Sequence, residues 1–201
     1  MILDMNIKLS GINEEFLNEL DELIEDTRVE YFIINPKSEI ELEETLELCK
    51  KYRRFKYTLP VAFREKMDKN CVAYKVTKEE ELDLVENIPL VVESNCLNES
   101  FILALNSRIN RGVVLDAKQS DTKLENFAYS ISHDSLKDWT KKGITDVDFN
   151  KLALQSNYPD FSYDELIDGL LKNISDLTFR AEQTIAAGGT RTVLKTFELL
   201  Q

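Results

Sequence analysis

The chain opens Met1-Ile2-Leu3-Asp4-Met5-Asn6-Ile7-Lys8, in which Met1–Ile7 reads as a strand that starts at the first residue. Its polar members, Asp4, Asn6 and Lys8, stand at alternate positions, and side chains two apart share one face of a strand. Seven more short apolar runs follow: Val29–Asn35, Tyr57–Phe63, Cys71–Val76, Leu90–Glu93, Gly112–Leu115, Phe127–Ser132 and Leu152–Asn157. Most are rich in Val, Ile, Tyr or Phe. Several are almost continuously apolar, as strands buried on both faces must be.

Helical patterns separate many of these runs. Phe16, Leu17, Leu20, Leu23 and Ile24 form one apolar stripe behind Asn13 as N-cap. Leu42, Leu46 and Cys49 form another, with Ser38 and Glu41 as a capping box. Leu82 and Val85 mark a short helix. Asn98 caps one carrying Phe101, Ile102 and Leu105, and Asp134 to Trp139 makes about one turn. Ser162 caps a helix with Leu166, Ile167, Leu170 and Leu171. After Gly188-Gly189, Thr190 caps a last one with Val193, Leu194 and Phe197.

Strands alternating with helices pair in parallel through right-handed crossovers. Eight such units predict a small (β/α)8 barrel, the alternative being an open doubly wound sheet. The chain has 201 residues, near the lower limit for that barrel, so some outer helices are expected to be shortened or missing. The connections Arg64–Asn70 and Lys118–Asn126 are the shortest. No linker or low-complexity tract interrupts the chain, which reads as one domain over 1–201.

Charge limits the partners. The net charge is −12, which opposes binding to duplex nucleic acid, a polyanion gripped by Lys and Arg. The largest basic cluster, Lys50-Lys51 with Arg53-Arg54, reads as an exposed helix end where cations suit the dipole. Cys49, Cys71 and Cys96 are far apart and form no CxxC pair, as expected of free thiols in a reducing cytoplasm. No signal peptide or membrane-spanning apolar stretch is evident. A cytoplasmic protein is expected, with a protein or small molecule as its partner.

In such barrels, chemistry gathers at the carboxyl ends of the strands. Those ends offer Asp4, Asn6 and Lys8, then Asn35, Ala62 to Arg64, Lys75, Glu93 and Asn95, Asp116, Ser132 and His133, and Asn157. Ile2 to Leu9 resembles the opening motif of TatD-type deoxyribonucleases and related amidohydrolases, in which an acid, a His and a His alternate. Cys71–Val76 resembles that family's fourth strand and Pro89–Asn95 its fifth. Leu152–Pro159 resembles its last strand, and Gly189-Thr190-Arg191-Thr192-Val193-Leu194-Lys195-Thr196-Phe197 its closing helix.

The resemblance implies a metal-dependent hydrolase site whose ligands have been replaced. The two first-strand His positions fall on Asn6 and Lys8, and the bridging Glu on Lys75. The fifth-strand His falls on Glu93 and its Arg on Asn95. The sixth-strand His falls on Leu115 or Asp116, and the last-strand Asp on Asn157. Asp4 alone is retained. An ammonium group has no lone pair for a metal, and an amide is no general base. The chain's one histidine is His133. The expectation is therefore a barrel without a cofactor, catalytically silent, that binds or scaffolds. In it, Lys75 or Lys8 pairs with Asp4, Glu93 or Asp116. The alternative is a hydrolase using Mg²⁺ or Mn²⁺ on Asp4, Glu93 and Asp116, since oxygen ligands suit those ions. His133 as a base, carbamylated Lys75 and nucleophilic Cys96 are weaker candidates.

Overall fold

The apolar runs become eight strands: β1 Ile2–Ile7, β2 Val29–Ile34, β3 Phe55–Pro60, β4 Cys71–Val76, β5 Leu90–Glu93, β6 Gly112–Leu115, β7 Phe127–Ser132 and β8 Leu152–Gln155. This computed structural model describes residues 2–7, 18, 29–85, 87–139, 141–157 and 189–199. All seven ladders are parallel, in the order β1 to β8, which excludes the doubly wound sheet. Among the described residues, no ladder joins β8 back to β1. The barrel is closed there by side chains.

Among the described residues few outer helices cover it, in keeping with the short connections. Helix α1 is Glu39–Lys51, α2 is Glu99–Asn106, α3 is Lys141–Asp146, and α4 spans 189–196. Short 3-10 segments make other crossings, Val61–Lys66 between β3 and β4 and Glu79–Leu84 between β4 and β5. The expected helices after Asn13 and Ser162 lie outside the described residues. No helix among those described is long and apolar enough to cross a membrane.

The caps follow local chemistry. The Ser38 side chain accepts from the Glu41 amide, and Glu41 returns a bond to the Lys37 amide, one residue earlier than a strict capping box. The Asn98 side chain accepts from the Phe101 amide at 2.9 Å. Asn98→Ala leaves that amide unpaired at the start of a short helix. It is expected to lower stability by about 1 kcal/mol, read by urea unfolding. The basic cluster is indeed a helix end: Lys50 and Lys51 close α1, Lys50 pairs with Glu47, and Arg54 lies over the Phe32 ring.

Two cores follow from strand alternation. The outer one packs Phe32, Tyr57, Val92 and Tyr129 against Leu42, Leu48 and Phe101 of the helices. The inner one joins alternate strand residues, among them Ile33, Val91, Val113, Ala128 and Ala153, to Val193 and Leu194 of α4 and Phe197 just after it. Helix α4 therefore plugs the amino-terminal end of the barrel. A Cβ on Gly189 would sit 1.3 Å from the Leu152 carbonyl oxygen, so this contact with the start of β8 admits only glycine. Gly189 and Thr190 are already helical, which rules out Thr190 as the N-cap.

The third strand departs from expectation. It begins at Phe55 and stops at Pro60, after which Val61–Lys66 winds into a 3-10 turn. Proline has no N–H for a ladder, which fits a strand end. Ala62 to Arg64 thus lie beyond the strand, on the turn.

Candidate functional site at the barrel mouth

A chain of side-chain hydrogen bonds crosses the carboxyl end of the barrel. The Thr58 hydroxyl donates to Asn35 Oδ1 at 2.6 Å. Asn35 Nδ2 donates to Asn6 Oδ1 at 2.9 Å and also to the Met5 carbonyl. Asn6 Nδ2 donates to Asn157 Oδ1 at 2.7 Å, and Asn157 Nδ2 donates to Asp116 Oδ1 at 3.2 Å. The Ser132 hydroxyl reaches the same carboxylate oxygen at 2.6 Å. Gln155, at the end of β8, reaches across to the end of β6: its Nε2 donates to Asn157 Oδ1, and its Oε1 accepts from the Asp116 amide. From Thr58 onward, every donor points along the chain towards the Asp116 carboxylate. Aligned hydrogen bonds of this kind polarise and strengthen one another.

Asp116 and Asn157 both adopt left-handed backbone conformations, with φ of 49° and 57°. Asp and Asn tolerate this region better than most residues, and such conformations collect where a site imposes its geometry. The turn at Asp116 separates the two sixth-strand candidates in space. Leu115 belongs to the inner core, and the next residue brings its carboxylate to the mouth.

Two charged features complete the mouth. Lys75 Nζ lies 2.5 Å from Glu93 Oε1, with side-chain exposures of 7% and 27%. Burial opposes ionisation of Glu93, but the Lys75 ammonium outweighs it and holds the carboxyl below its ordinary range. Asn95, exposed on the turn after β5, adds a hydrogen bond to Glu93. Asp4 is fully buried, and its carboxylate accepts from the Ser156 amide at 3.1 Å, from the Ser156 hydroxyl, and from the Asn6 amide.

Of the expected cation pairs, Lys75–Glu93 is present. Lys75 does not pair with Asp116, whose carboxylate is satisfied by neutral donors. Lys8 lies outside the described residues. His133 is partly exposed beside the mouth, its Nδ1 4.0 Å from Asp134. Burial pushes the Cys96 thiol up, away from the thiolate a nucleophile needs. Thr58, Gln155 and Ser156 are site residues that the strand-end reading missed. Gln155 carried a signal, standing two before Asn157 on the same strand face.

Solved structures match this architecture over the whole chain. The TatD homologue YJJV from Escherichia coli K12 superposes with a TM-score of 0.70 over 98% of each chain, at 12% identity. The chain shares the eight-stranded β/α barrel fold of that protein. A dihydroxybenzoic acid decarboxylase from Polaromonas, solved with manganese and the inhibitor 2-nitroresorcinol, has the same fold (TM-score 0.57, 11% identity, 100% of this chain and 97% of that one). So does an amidohydrolase II protein, with a TM-score of 0.58 at 10% identity over 98% of this chain and 99% of that one. No family model and no curated protein matches the sequence.

The described side chains at the mouth of this barrel do not fit a divalent ion. Among the described residues, no three His, Cys, Asp or Glu side chains are grouped to hold one. Glu93 is taken up by an ammonium, Asp4 by Ser156, and Asp116 by Ser132 and Asn157. The amides of Asn6 and Asn157 offer neutral oxygens already engaged by donors. Such a set would neither attract a hard cation nor lower the pKa of a bound water.

Proposed function

We propose that this TatD-type barrel has lost metal-dependent hydrolysis and works as a catalytically silent binding or scaffold protein, for a small molecule or a protein. One observation carries the reading. Lys75 and Glu93, which the sequence resemblance sets at the positions of the bridging acid and the fifth-strand histidine, form an ion pair. A positive charge within the site supplies the electrostatic balance that a metal would otherwise give to the surrounding acids. The free thiols of Cys49, Cys71 and Cys96 support placement in a reducing cytosol, and the net charge of −12 disfavours duplex nucleic acid as the partner.

The second reading is a hydrolase with Mg²⁺ or Mn²⁺ on Asp4, Glu93 and Asp116. The manganese in the Polaromonas decarboxylase favours it, and the engagement of all three carboxylates opposes it. Elemental analysis separates the two. Protein purified without chelator is expected to carry substoichiometric zinc, manganese and magnesium, and to show no EDTA-sensitive cleavage of DNA. One retained divalent ion per chain, with EDTA-sensitive cleavage that Asp116→Asn abolishes, would establish the hydrolase instead.

A further inference from the structure

The opposite, amino-terminal end of the barrel carries a second concave site. Arg111 precedes β6, Asn126 precedes β7 and Lys151 precedes β8, while Thr192, Lys195 and Thr196 project from α4. Together they line a cavity of about 340 Å³, within the size range of small-ligand sites. Arg111, Lys195 and Thr196 also border an adjoining cavity of about 220 Å³. The basic residues are 40 or more positions apart in sequence, so no basic cluster shows in the chain read linearly.

The charge there runs against the protein as a whole. In a chain of net charge −12, the first cavity gathers three cations and one acid, Glu125, a local excess of +2. Arg111 and Lys195 form no ion pair with any described residue. Lys151 Nζ donates to the Glu125 carbonyl at 2.7 Å, which fixes the ammonium at the wall without neutralising it. The Thr196 hydroxyl donates to the Thr192 carbonyl at 3.0 Å, and both threonines line the cavity.

We propose that this cavity binds a phosphoryl group. A phosphate at neutral pH carries about −1.5 to −2 charges, which matches the excess, and a single carboxylate would balance only half of it. Arg111 offers a planar fork for two phosphate oxygens, with Lys151 and Lys195 as point charges beside it. The remaining volume admits the organic part of a small phosphomonoester. The site is at the far end of the barrel from the mouth, so it stands or falls separately from the reading above.

The test is a titration of isotopically labelled protein with inorganic phosphate, glucose 6-phosphate and uncharged glucose, followed by backbone amide shifts. Saturable shifts confined to residues around 111, 126, 151 and 192–196 are expected with the phosphates and not with glucose. Arg111→Gln and Lys195→Gln should each weaken binding roughly tenfold or more, the loss of one charge-assisted hydrogen bond. Glu125→Gln should tighten it, and added salt should weaken it. Arg111 and Lys195 are exposed, and their side chains hold no described partner, so these variants keep the fold and their spectra elsewhere should not change. Tighter binding of glucose 6-phosphate identifies a phosphomonoester, and equal binding identifies free phosphate. Absence of saturable shifts, or affinities unchanged in both cation variants, would overturn the site.

Discussion

Lys75→Met is expected to lower unfolding stability by about 2–4 kcal/mol near neutral pH, between the limits for exposed and fully buried ion pairs. Methionine keeps much of the volume and deletes the charge, so the loss reports a stranded Glu93 carboxylate more than a cavity. The carboxylate is about a quarter exposed, so water relieves part of that cost. Chemical denaturation of Lys75→Met, Glu93→Gln and the double variant checks the coupling. The double variant should be more stable than the sum of the two losses implies, and strict additivity would show that the groups act independently. The sign of the pH dependence follows from Glu93. Its carboxyl is held below the ordinary range in the folded state, so the pair's contribution is present above the unfolded value. It is lost as pH falls through the lower, folded one. In Lys75→Met, the acid-side fall in stability that wild type shows should shrink.

Asp4→Ala is expected to cost about 3–5 kcal/mol. The substitution leaves the buried amide and hydroxyl of Ser156 without their shared acceptor, at about 1–3 kcal/mol each, and the Asn6 amide loses its bond as well. Asp4→Asn keeps the shape and one acceptor oxygen, and should recover part of the loss. Thermal and denaturant unfolding of the two variants provide the measurement. Equal, small losses would show that the clasp is not worth the energy its geometry implies. Asp4 would then owe its position to something other than holding the barrel shut.

Much of the barrel could be read from the chain. Runs bounded by polar residues or turns gave β4, β5, β6 and β7 their full limits, since a buried parallel strand has little choice but to be apolar throughout. The third strand was misplaced because Tyr57–Phe63 is apolar as a run, and composition does not show where Pro60 ends the ladder. That displacement hid Thr58, the first donor of the mouth network. Period two also fails at Asp116, where a left-handed turn brings two successive residues inward. Lys75 beside Glu93 was legible, because both lie near the carboxyl ends of neighbouring strands. The amide relay was not, since bonds such as Asn6 to Asn157 depend on barrel closure and not on local sequence.

The seam between β1 and β8 has a kinetic consequence. Asp4 and Ser156 are 152 residues apart, so their bond closes one of the longest loops the chain can form. The entropy of that closure is recovered only after the intervening strands have assembled in order. Seam contacts should therefore be nearly absent from the folding transition state. Asp4→Ala should leave the refolding limb of a chevron almost unmoved and accelerate the unfolding limb by nearly the whole of its free-energy loss. The lifetime of the native barrel is then set where its first and last strands meet.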